Sequence, residues 1–312
     1  MGAETMENQL DIVVIGTIIK ETIQFPNRVI GPVLGSPAAY SSLVMAAQGR
    51  KVGIVTYYGG DMDDVYKETQ VLDRRNVMPY AYSTTNHLIY RSDGTKYVEY
   101  QKSAPNIRFS DLCEDYLRQQ YFKICPMNYE VELDVAEHLH QMGKTVFIDL
   151  GGYGGATSDV RHSIEEVYGR AVIAALCRNS TIIKASAEDL ESIIPGRTAE
   201  EAALYLTEQG APNVVVTLGS KGVLYKEKGQ PIRHIGPFAA VSEIPDGSLD
   251  FTGAGDSFGA GFMASYVKEE DMTKAAVNGN ATASLVIQKT GGCTFGRMPT
   301  KEQVQRRIAE NS

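Results

Sequence analysis

Short apolar runs alternate along the chain with longer segments in which apolar residues recur at helical spacing. The run DIVVIGTII at 11–19 is rich in β-branched residues, which predicts a buried strand. Further strands are predicted at 51–59, 121–125, 145–149, 180–184 and 213–218. Helices are predicted at 38–49, 62–76, 256–267, 272–289 and 300–310, and between the later strands. This alternation predicts an α/β fold whose mostly parallel central sheet is covered by helices on both faces.

Two segments interrupt the alternation. The first, FPNRVIGPVLGSP, is broken by three prolines, which favours edge strands and turns. In the second, AYSTTNHLIYRSDGTKYVEYQ, the residues Ser-Asp-Gly separate two stretches of polar alternation, which is a hairpin signal. We therefore predict that segments of about 17–36 and about 80–104 form a small sheet apart from the main one. A further hairpin is predicted at 222–236.

The size and charge of the chain argue against some classes of function. Its 312 residues are 43% hydrophobic, which is enough to bury a sizeable core, and we predict a single domain spanning 1–312. The formal net charge is −8 and no Lys/Arg cluster is present, which argues against a nucleic-acid-binding protein. No apolar run approaches the roughly 18 residues of a membrane-spanning helix.

The cysteines and the first ten residues indicate the cellular compartment in which we expect the protein. The four cysteines are scattered without a C-x-x-C pair, which predicts neither a zinc site nor a disulfide scaffold. They are Cys113, Cys125, Cys177 and Cys293. The opening MGAETMENQL is polar and acidic and lacks the pattern of a signal peptide. We therefore expect reduced thiols in a cytoplasmic protein.

The stretch LDFTGAGDSFGAGFMASYV at 249–267 carries the strongest chemical signal. Its small residues Gly253, Ala254 and Gly255 precede Asp256, and aromatic residues then recur every four positions, which predicts a buried helix. A glycine turn that enters a helix beyond the end of a strand exposes unpaired N–H groups, and these bind anions together with the helix dipole. The sequence therefore predicts a phosphate site at this turn.

Asp256 has two interpretations at this position. An acid in a first helical turn complements the helix dipole, which stabilises the helix by about 0.3–1 kcal/mol. Alternatively, the N–H groups hold a transferring phosphoryl group while Asp256 accepts the proton of the attacking hydroxyl. The second interpretation is favoured, because an N-terminal acid does not require a glycine turn before it.

The same stretch resembles a known family. DFTGAGDSFGAGF is similar to the C-terminal signature of PfkB/ribokinase-family carbohydrate kinases, commonly D-T-x-G-A-G-D-x-F. The resemblance extends over nearly the whole chain, because four other segments fall in the order that the family has. They are VIGTII, GPVLGSPAAYSSLVMAAQG, STIIKASAEDL and VVVTLGSKGVLY. It implies a ribokinase-like fold with a β-sheet lid, and ATP-dependent phosphorylation of a sugar or polyol hydroxyl with Mg²⁺. A homodimer through the lid is a further expectation.

The resemblance also implies roles for individual residues. Asp256 would be the general base, with Gly253, Ala254 and Gly255 as the anion hole. The expected nucleotide-side residues are Thr217, Gly219, Ser220, Gly222, Lys184, Ser186 and Asn280. Two alternatives remain open. The loop TLGSKG is alternatively an ordinary hairpin turn, and Asn280 is alternatively a polar residue on a helix surface. The expected metal-site residues are Asp189, which would order Mg²⁺-bound water, and Asp250 and Thr252, which would hold a monovalent cation such as K⁺.

The acceptor side departs from the family pattern. The expected acceptor-binding residues are Glu21, Gly35, Ser36, Tyr40, Gly60 and Asp61. Glu21 stands where the family usually has Asp, Ser36 replaces a glycine, and Ala39 or Tyr40 replaces an Asn. On the phosphate side, Ser186 and Asp189 stand for the Asn and Glu of an N-x-x-E element. We therefore expect intact chemistry and an acceptor other than ribose.

Two alternatives stay open at this point. The first is a nucleoside or inositol kinase of the same family. The second is a protein that binds a sugar or a nucleotide as a regulator and has no catalytic activity, against which the intact Asp256 argues.

Overall fold

The computed structural model of the protein describes residues 9–92, 96–155, 166–239 and 249–311. In chain order the strands are β1 (Ile12–Ile15), β2 (Ile19–Phe25), β3 (Arg28–Gly35), β4 (Val52–Tyr58), β5 (Asp73–Pro79), β6 (Thr84–Tyr90), β7 (Lys96–Lys102), β8 (Tyr121–Ile124), β9 (Thr145–Asp149), β10 (Ile182–Ser186), β11 (Asn213–Thr217), β12 (Val223–Lys226) and β13 (Ile232–Ile235).

The helices lie mainly between these strands and at the end of the chain. They are α1 (Pro37–Ala47), α2 (Asp63–Tyr66), α3 (Glu114–Leu117), α4 (Leu133–Gln141), α5 (Glu166–Arg178), α6 (Ala187–Ile193), α7 (Ala199–Glu208), α8 (Ala254–Glu269), α9 (Met272–Val286) and α10 (Lys301–Glu310). Within the described ranges, none of the helices is long and apolar enough to cross a membrane.

Nine of the described strands form the main sheet, in the order β13-β12-β11-β10-β9-β8-β1-β4-β5. The strands from β11 to β5 pair in parallel, and β12 and β13 extend the sheet antiparallel as the predicted hairpin. The central strands are buried along their length, as expected where helices cover both faces. The predicted α/β architecture is therefore confirmed.

A second sheet has four strands in the order β3-β2-β6-β7. Its strands come from the two segments that the sequence set apart, about 17–36 and about 80–104, so the small sheet is confirmed. The predicted turn of the second hairpin falls partly on 93–95, outside the described residues. We call this sheet the lid sheet.

The predicted helix at 62–76 is wrong. Only Asp63–Tyr66 is α-helical; a 3₁₀ turn spans Lys67–Val71, and β5 then begins at Asp73. β5 pairs in parallel with β4, from Gly53 opposite Asp73 to Tyr58 opposite Pro79. The backbone hydrogen bonds of this edge strand outweigh the helical pattern of its side chains, which is how tertiary context overrides local propensity.

The predicted strand at 11–19 is divided between the two sheets. β1 ends at Ile15 in the main sheet, and β2 begins at Ile19 in the lid sheet. Between them the chain passes close to the end of β8, because a Cβ on Gly16 would lie 2.5 Å from the carbonyl oxygen of Cys125. Gly16 therefore permits the close crossing from one sheet to the other.

Helix α8 lies at the centre of the helical layer and packs against α1 and α9. The aromatic residues at four-residue spacing are buried as predicted, and their rings contact in sequence. Phe258 and Phe262 have centroids 6.2 Å apart, and Phe262 stacks on Tyr266 at 5.8 Å. This packing fixes the axis of α8 and thereby the position of its first turn. The four cysteines are free thiols, as expected.

Candidate active site

A cavity of about 840 Å³ lies beyond the carboxyl ends of the parallel strands, with lid-sheet residues on one side. This is the edge at which ligands bind in open α/β sheets. Its lining includes the first turn of α8, the loop after β11 and the polar ends of β9 and β10. Because these parts come from distant points in the sequence, the fold brings the predicted catalytic and nucleotide-side residues to one cavity.

The first turn of α8 depends on a left-handed glycine. Gly253, the N-cap residue, has φ 75°, a conformation that favours glycine. A Cβ at this position would lie 2.4 Å from the ring of Tyr40. The turn is therefore held against α1 at a distance that no other residue permits.

This helix begins without a capping side chain. Ser and Thr side chains cap α1, α6, α7 and α10, whereas no side chain among the described residues caps α8. The N–H of Ala254 donates to the carbonyl oxygen of Phe251 at 3.1 Å, so the N–H groups left for the cavity are those of Gly255 and Asp256. Such a turn can bind an anionic phosphoryl group.

Asp256 lies half-buried in this first turn. Burial raises the pKa of its carboxyl to about 6; the ammonium of Lys184 opposes the rise, and the carboxylate of Asp149 adds to it. A carboxylate with a pKa near 6 is mostly ionised at neutral pH and is a better proton acceptor than an ordinary aspartate. Asp256 therefore has the protonation state that a general base requires.

Lys184 provides a positive charge beside the same turn. Its Nζ lies 3.0 Å from Oδ2 of Asp149, and both side chains are almost fully buried. Burial opposes the charge on Lys184, but the carboxylate of Asp149 and those of two further aspartates outweigh burial and raise the pKa of the ammonium. A Cβ on Gly255 would lie 3.4 Å from Nζ, so the cation stands next to the proposed anion hole.

The predicted nucleotide-side loop lines the other half of the cavity. Thr217 ends β11, a 3₁₀ turn spans Gly219–Lys221, and β12 follows, so the segment is both a hairpin turn and a cavity wall. Gly222 is required by packing, because its Cβ would lie 2.2 Å from the carbonyl oxygen of Ile235. Gly219 and Ser220 also line the cavity.

Asn280 is not a helix-surface residue. It is 8% exposed, lines the cavity and donates from Nδ2 to the carbonyl oxygen of Gly236 at 3.0 Å. The hydrogen bond joins α9 to the segment that follows β13. Asn280 therefore shapes the nucleotide side of the cavity.

Ser186 and Asp189 form a capping box at the start of α6. Ser186 Oγ donates to Asp189 Oδ2 at 2.7 Å, and the N–H of Asp189 donates to Ser186 Oγ at 3.0 Å. Both residues line the cavity. No group of three or more acidic, His or Cys side chains that could hold a metal ion occurs in the described part of the chain. Carboxylates at this wall fit a Mg²⁺ ion held mainly by phosphates and water, which is usual for Mg²⁺ in kinases.

Glu21 lies at the acceptor end of the cavity, on β2. It is 3% exposed, and a Cβ on Gly35 would lie 2.6 Å from its Oε2, so Gly35 makes room for the longer acid without lining the cavity itself. Burial raises the pKa of Glu21 to about 7, although its hydrogen bond with Asn86 lowers it.

Ser36 and Tyr40 begin α1 beside Glu21, and both line the cavity. Ser36 has φ 101°, a conformation that favours glycine, and for serine the strain costs about 1–3 kcal/mol. The hydroxyl oxygen of Tyr40 accepts from Nη1 of Arg297 at 2.8 Å. The phenol therefore forms the cavity wall with its ring, while its oxygen binds the arginine.

Gly60 and Asp61 do not reach the cavity. Both are exposed in a 3₁₀ turn after β4, and neither is among the cavity-lining residues of the described chain. Asp61 instead accepts from the N–H of Ser83 at 2.8 Å and pairs with Lys102 at 3.4 Å. The structure therefore does not bring Gly60 and Asp61 to this cavity with the other expected acceptor-binding residues, and Asp61 contacts the lid sheet instead.

The oxygens expected to bind a monovalent cation already surround a side chain. Asp250 Oδ1 accepts from the N–H of Thr252 at 3.0 Å, and Oδ2 lies 3.8 Å from Nη2 of Arg297. The carbonyl oxygen of Thr252 lies 3.5 Å from the same nitrogen. Because a guanidinium is in contact with these oxygens, the residues present do not fit a K⁺ ion.

Sequence reasoning missed three residues that contribute contacts to the site. Asp149 ends β9 and pairs with Lys184; an acid at the carboxyl end of a buried strand was the signal that could have found it. Tyr90 bonds to Thr252 Oγ1 at 3.0 Å from the lid sheet. No motif marks Arg297, which lies in a 3₁₀ turn far along the chain.

The comparisons with known proteins agree with this geometry. The model of the pfkB family carbohydrate kinases matches residues 160–301. A cytidine kinase of Thermococcus kodakarensis is 30% identical over 289 residues, which cover 90% of this chain and 98% of that enzyme. The chain belongs to the pfkB family. The family resemblance is therefore confirmed, and the protein is a kinase.

Solved structures of pfkB-family kinases share the fold. Arabidopsis thaliana ribokinase, complexed with ribose and ATP, aligns with a TM-score of 0.75 at 19% identity and covers 96% of this chain and 99% of its own. A putative ribokinase II from E. coli, in complex with ATP and Mg²⁺, also aligns at 0.75, with 18% identity and the same coverage. The ribokinase-like fold is thus confirmed. The protein is a carbohydrate or nucleoside kinase of this family.

Proposed function

We propose that the protein transfers the γ-phosphoryl group of ATP to a primary hydroxyl of a nucleoside, with a pyrimidine nucleoside as the foremost candidate. The observation that carries the proposal is the likeness to a cytidine kinase over nearly the full length of both chains. The preference for a nucleoside over a sugar or polyol rests on this relative and on the walls of the acceptor side.

The acceptor side suits a ligand with a polar end and a flat apolar end. Glu21 can accept hydrogen bonds from hydroxyl groups, and Leu88, Tyr90 and Met127 supply apolar and aromatic walls. The ring of Tyr90 is held in place by stacking on Phe25, with centroids 4.9 Å apart and planes 3° from parallel. A rigid aromatic wall suits stacking with a nucleobase, which stabilises binding by about 1–3 kcal/mol.

The mechanism follows from the first turn of α8. Asp256 accepts the proton of the attacking hydroxyl, and the N–H groups around Gly255 stabilise the charge of the transferring phosphoryl group. Lys184 adds a positive charge at the same place, and Asp149 keeps its ammonium in position. Since phosphoryl transfer has a loose transition state, positioning and electrostatics supply most of the catalysis.

The loop after β11 is proposed to bind the nucleotide donor. Thr217, Gly219 and Ser220 line the cavity opposite the lid sheet, and Asn280 closes the same side from α9. Asp149 and Asp189 line the wall at which a hydrated Mg²⁺ ion would be held, and such an ion would neutralise the charge of the donor phosphates. Ser186 and Gly222 also line this side of the cavity, where Ser186 caps α6 and Gly222 permits a close-packed turn.

A panel of acceptors tests the proposal. ADP release with ATP and Mg²⁺ is measured for cytidine, uridine, adenosine, ribose, fructose and myo-inositol, and mass spectrometry identifies the phosphorylated product. We expect the highest kcat/KM with a nucleoside. Turnover confined to sugars or polyols would show that the acceptor is one of those compounds and not a nucleoside. Nucleotide binding without any turnover would favour a non-catalytic regulator.

A further inference from the structure

Five oxygen groups converge on one buried point behind the first turn of α8. They are the carbonyl oxygens of Thr252, Val286, Lys289 and Gly292 and the carboxylate of Asp250. Val286 is the last residue of α9, and its carbonyl oxygen accepts from the N–H of Lys289 at 3.3 Å, which leaves a lone pair for a further donor. Carbonyl oxygens and a carboxylate around a buried point need a cation, because their negative charge is otherwise uncompensated.

The guanidinium of Arg297 supplies this cation. The side chain is 4% exposed, and each of its five N–H groups has an acceptor. Nε donates to Lys289 O at 3.0 Å; Nη1 donates to Gly292 O at 2.9 Å and to Tyr40 Oη at 2.8 Å; Nη2 donates to Val286 O at 3.3 Å and to Thr252 O at 3.5 Å. The group is therefore fully satisfied where it stands.

The same oxygen set is of the kind that holds a K⁺ ion, since carbonyl oxygens replace its hydration shell. We propose that Arg297 is a built-in cation that takes the place of a monovalent metal ion, so that the kinase works without K⁺. A covalently attached guanidinium always occupies the position, whereas a metal ion occupies it according to concentration. The inference rests on the kinase activity and not on the choice of acceptor.

Arg297 acts on the reaction through the residues it holds. It contacts Thr252 through the carbonyl oxygen, and Gly253 follows Thr252 directly. It also fixes the hydroxyl of Tyr40, whose ring meets Gly253 from the other side. Arg297 therefore holds Thr252, which precedes Gly253 in the chain, and Tyr40, whose ring packs against Gly253. Because α8 begins at this glycine, Arg297 is a positioning residue for the anion hole.

The first test uses the wild-type enzyme. Turnover and the thermal unfolding midpoint are measured in potassium, sodium and tetramethylammonium chloride at equal ionic strength, so that general screening is constant. We expect the same values in all three salts. A fall in turnover of about threefold or more when K⁺ is replaced by tetramethylammonium would overturn the proposal.

The second test removes the guanidinium. Arg297→Ala should lower kcat by about 10²-fold, as a displaced catalytic turn does. Added guanidinium ion or K⁺ should raise the kcat of the variant at least about tenfold. K⁺ should also raise the unfolding midpoint of the variant, because a bound ion stabilises the native state. Loss of activity that neither ion restores would contradict the role of Arg297 as a cation.

Controls separate this inference from the proposed acceptor. Arg306→Ala removes an exposed arginine of α10 and should change neither turnover nor its ion dependence. If no nucleoside is phosphorylated, any accepted alcohol serves for the turnover measurements. If no acceptor is found at all, the unfolding midpoints still decide: an increase caused by K⁺ in the wild type overturns the proposal, and an increase confined to Arg297→Ala supports it.

Discussion

Two carboxyl groups at the cavity have raised pKa values for the same physical reason and are expected to act differently. Burial raises the pKa of Asp256 to about 6 and that of Glu21 to about 7. Asp256 lies beside the ammonium of Lys184, which favours its ionised form, whereas Glu21 has the amide of Asn86 as its hydrogen-bonding neighbour. At neutral pH the first is therefore ionised, and the second is near its midpoint.

Glu21 should make acceptor binding depend on pH. Hydrogen bonds to a charged group are stronger than neutral ones by roughly 1 kcal/mol, so KM for the acceptor should fall several-fold as pH rises through about 7. Glu21→Gln resembles the protonated form and should keep the higher KM at all pH values. Glu21→Asp keeps a carboxylate and should retain a pH dependence. An unchanged pH profile of KM in Glu21→Gln would contradict the assignment of Glu21 to the acceptor.

The same group should also affect stability. The pKa of Glu21 rises from 4.5 to about 7 on folding, so the folded chain binds a proton that the unfolded chain releases between these values. Stability should therefore decrease as pH rises through this window. Urea unfolding at several pH values should show a smaller decrease for Glu21→Gln than for the wild type.

Gly253→Ala tests the close contact at the start of α8. The left-handed backbone alone costs alanine about 1–2 kcal/mol, and the new Cβ would also meet the ring of Tyr40. Gly49→Ala is the matched control, because Gly49 has φ 77° with open space around its Cβ position. We expect Gly253→Ala to lower the free energy of unfolding more than Gly49→Ala and to impair turnover. Equal losses in the two variants would mean that the contact with Tyr40 has no energetic role.

At the residue scale, local sequence was sufficient to predict that Asp256 lies in the first turn of a buried helix after a glycine turn, because one contiguous motif contains both. It was not sufficient for Arg297, whose acceptors lie in three separate stretches of the chain, at Tyr40, at Thr252 and at 286–292. Asp61 lies outside the cavity for a different reason. Its position after β4 suggested the cavity, but hydrogen bonds with Ser83 and Lys102 direct its side chain to the lid sheet.

Among the elements, the lid sheet is joined to the main body partly by an exposed ion pair. Lys96 of β7 and Glu188 of α6 form an ion pair at 3.7 Å, and both line the cavity. The pair is exposed, and such pairs stabilise by about 0–1 kcal/mol. This pair therefore opposes movement of the lid sheet only weakly, and we predict that the sheet closes over the acceptor.

Hydrogen exchange tests this closure. We expect the amides of β2, β3, β6 and β7 to become more protected when the acceptor and a non-hydrolysable ATP analogue bind together, since closure excludes water from the reaction. Helix α4, none of whose residues lines the cavity, should show no change. Unchanged exchange in the lid sheet would mean that it is a fixed wall.

The elements also differ in how well the sequence predicted them. Buried strands such as β1 and β11 were found because continuous apolar runs leave little alternative. The failure at 62–76 has a different origin, because β5 forms through backbone pairing with β4 and its side chains are partly exposed. An edge strand with polar side chains has no periodic signal that separates it from a helix.

Over the whole molecule, the order of segments predicted the fold better than any single motif. Strands alternating with helices determined the parallel sheet, and the two interrupted segments determined the lid sheet. The acceptor could not be predicted in the same way, because residues from β2, β6, α1 and the loop after β8 form its walls jointly. Their combined shape exists only after folding.

The central claim is that Asp256 is the general base of a kinase reaction, and Asp256→Asn tests it most directly. Asparagine is nearly isosteric and cannot accept the proton, so kcat should fall about 10²–10⁴-fold while the Kd for ATP changes little. The wild-type kcat/KM should rise with pH through about 6 as the carboxyl ionises, and the variant should lack this rise. If Asp256→Asn keeps a kcat close to that of the wild type, the carboxylate only complements the helix dipole, and the proposed mechanism is wrong.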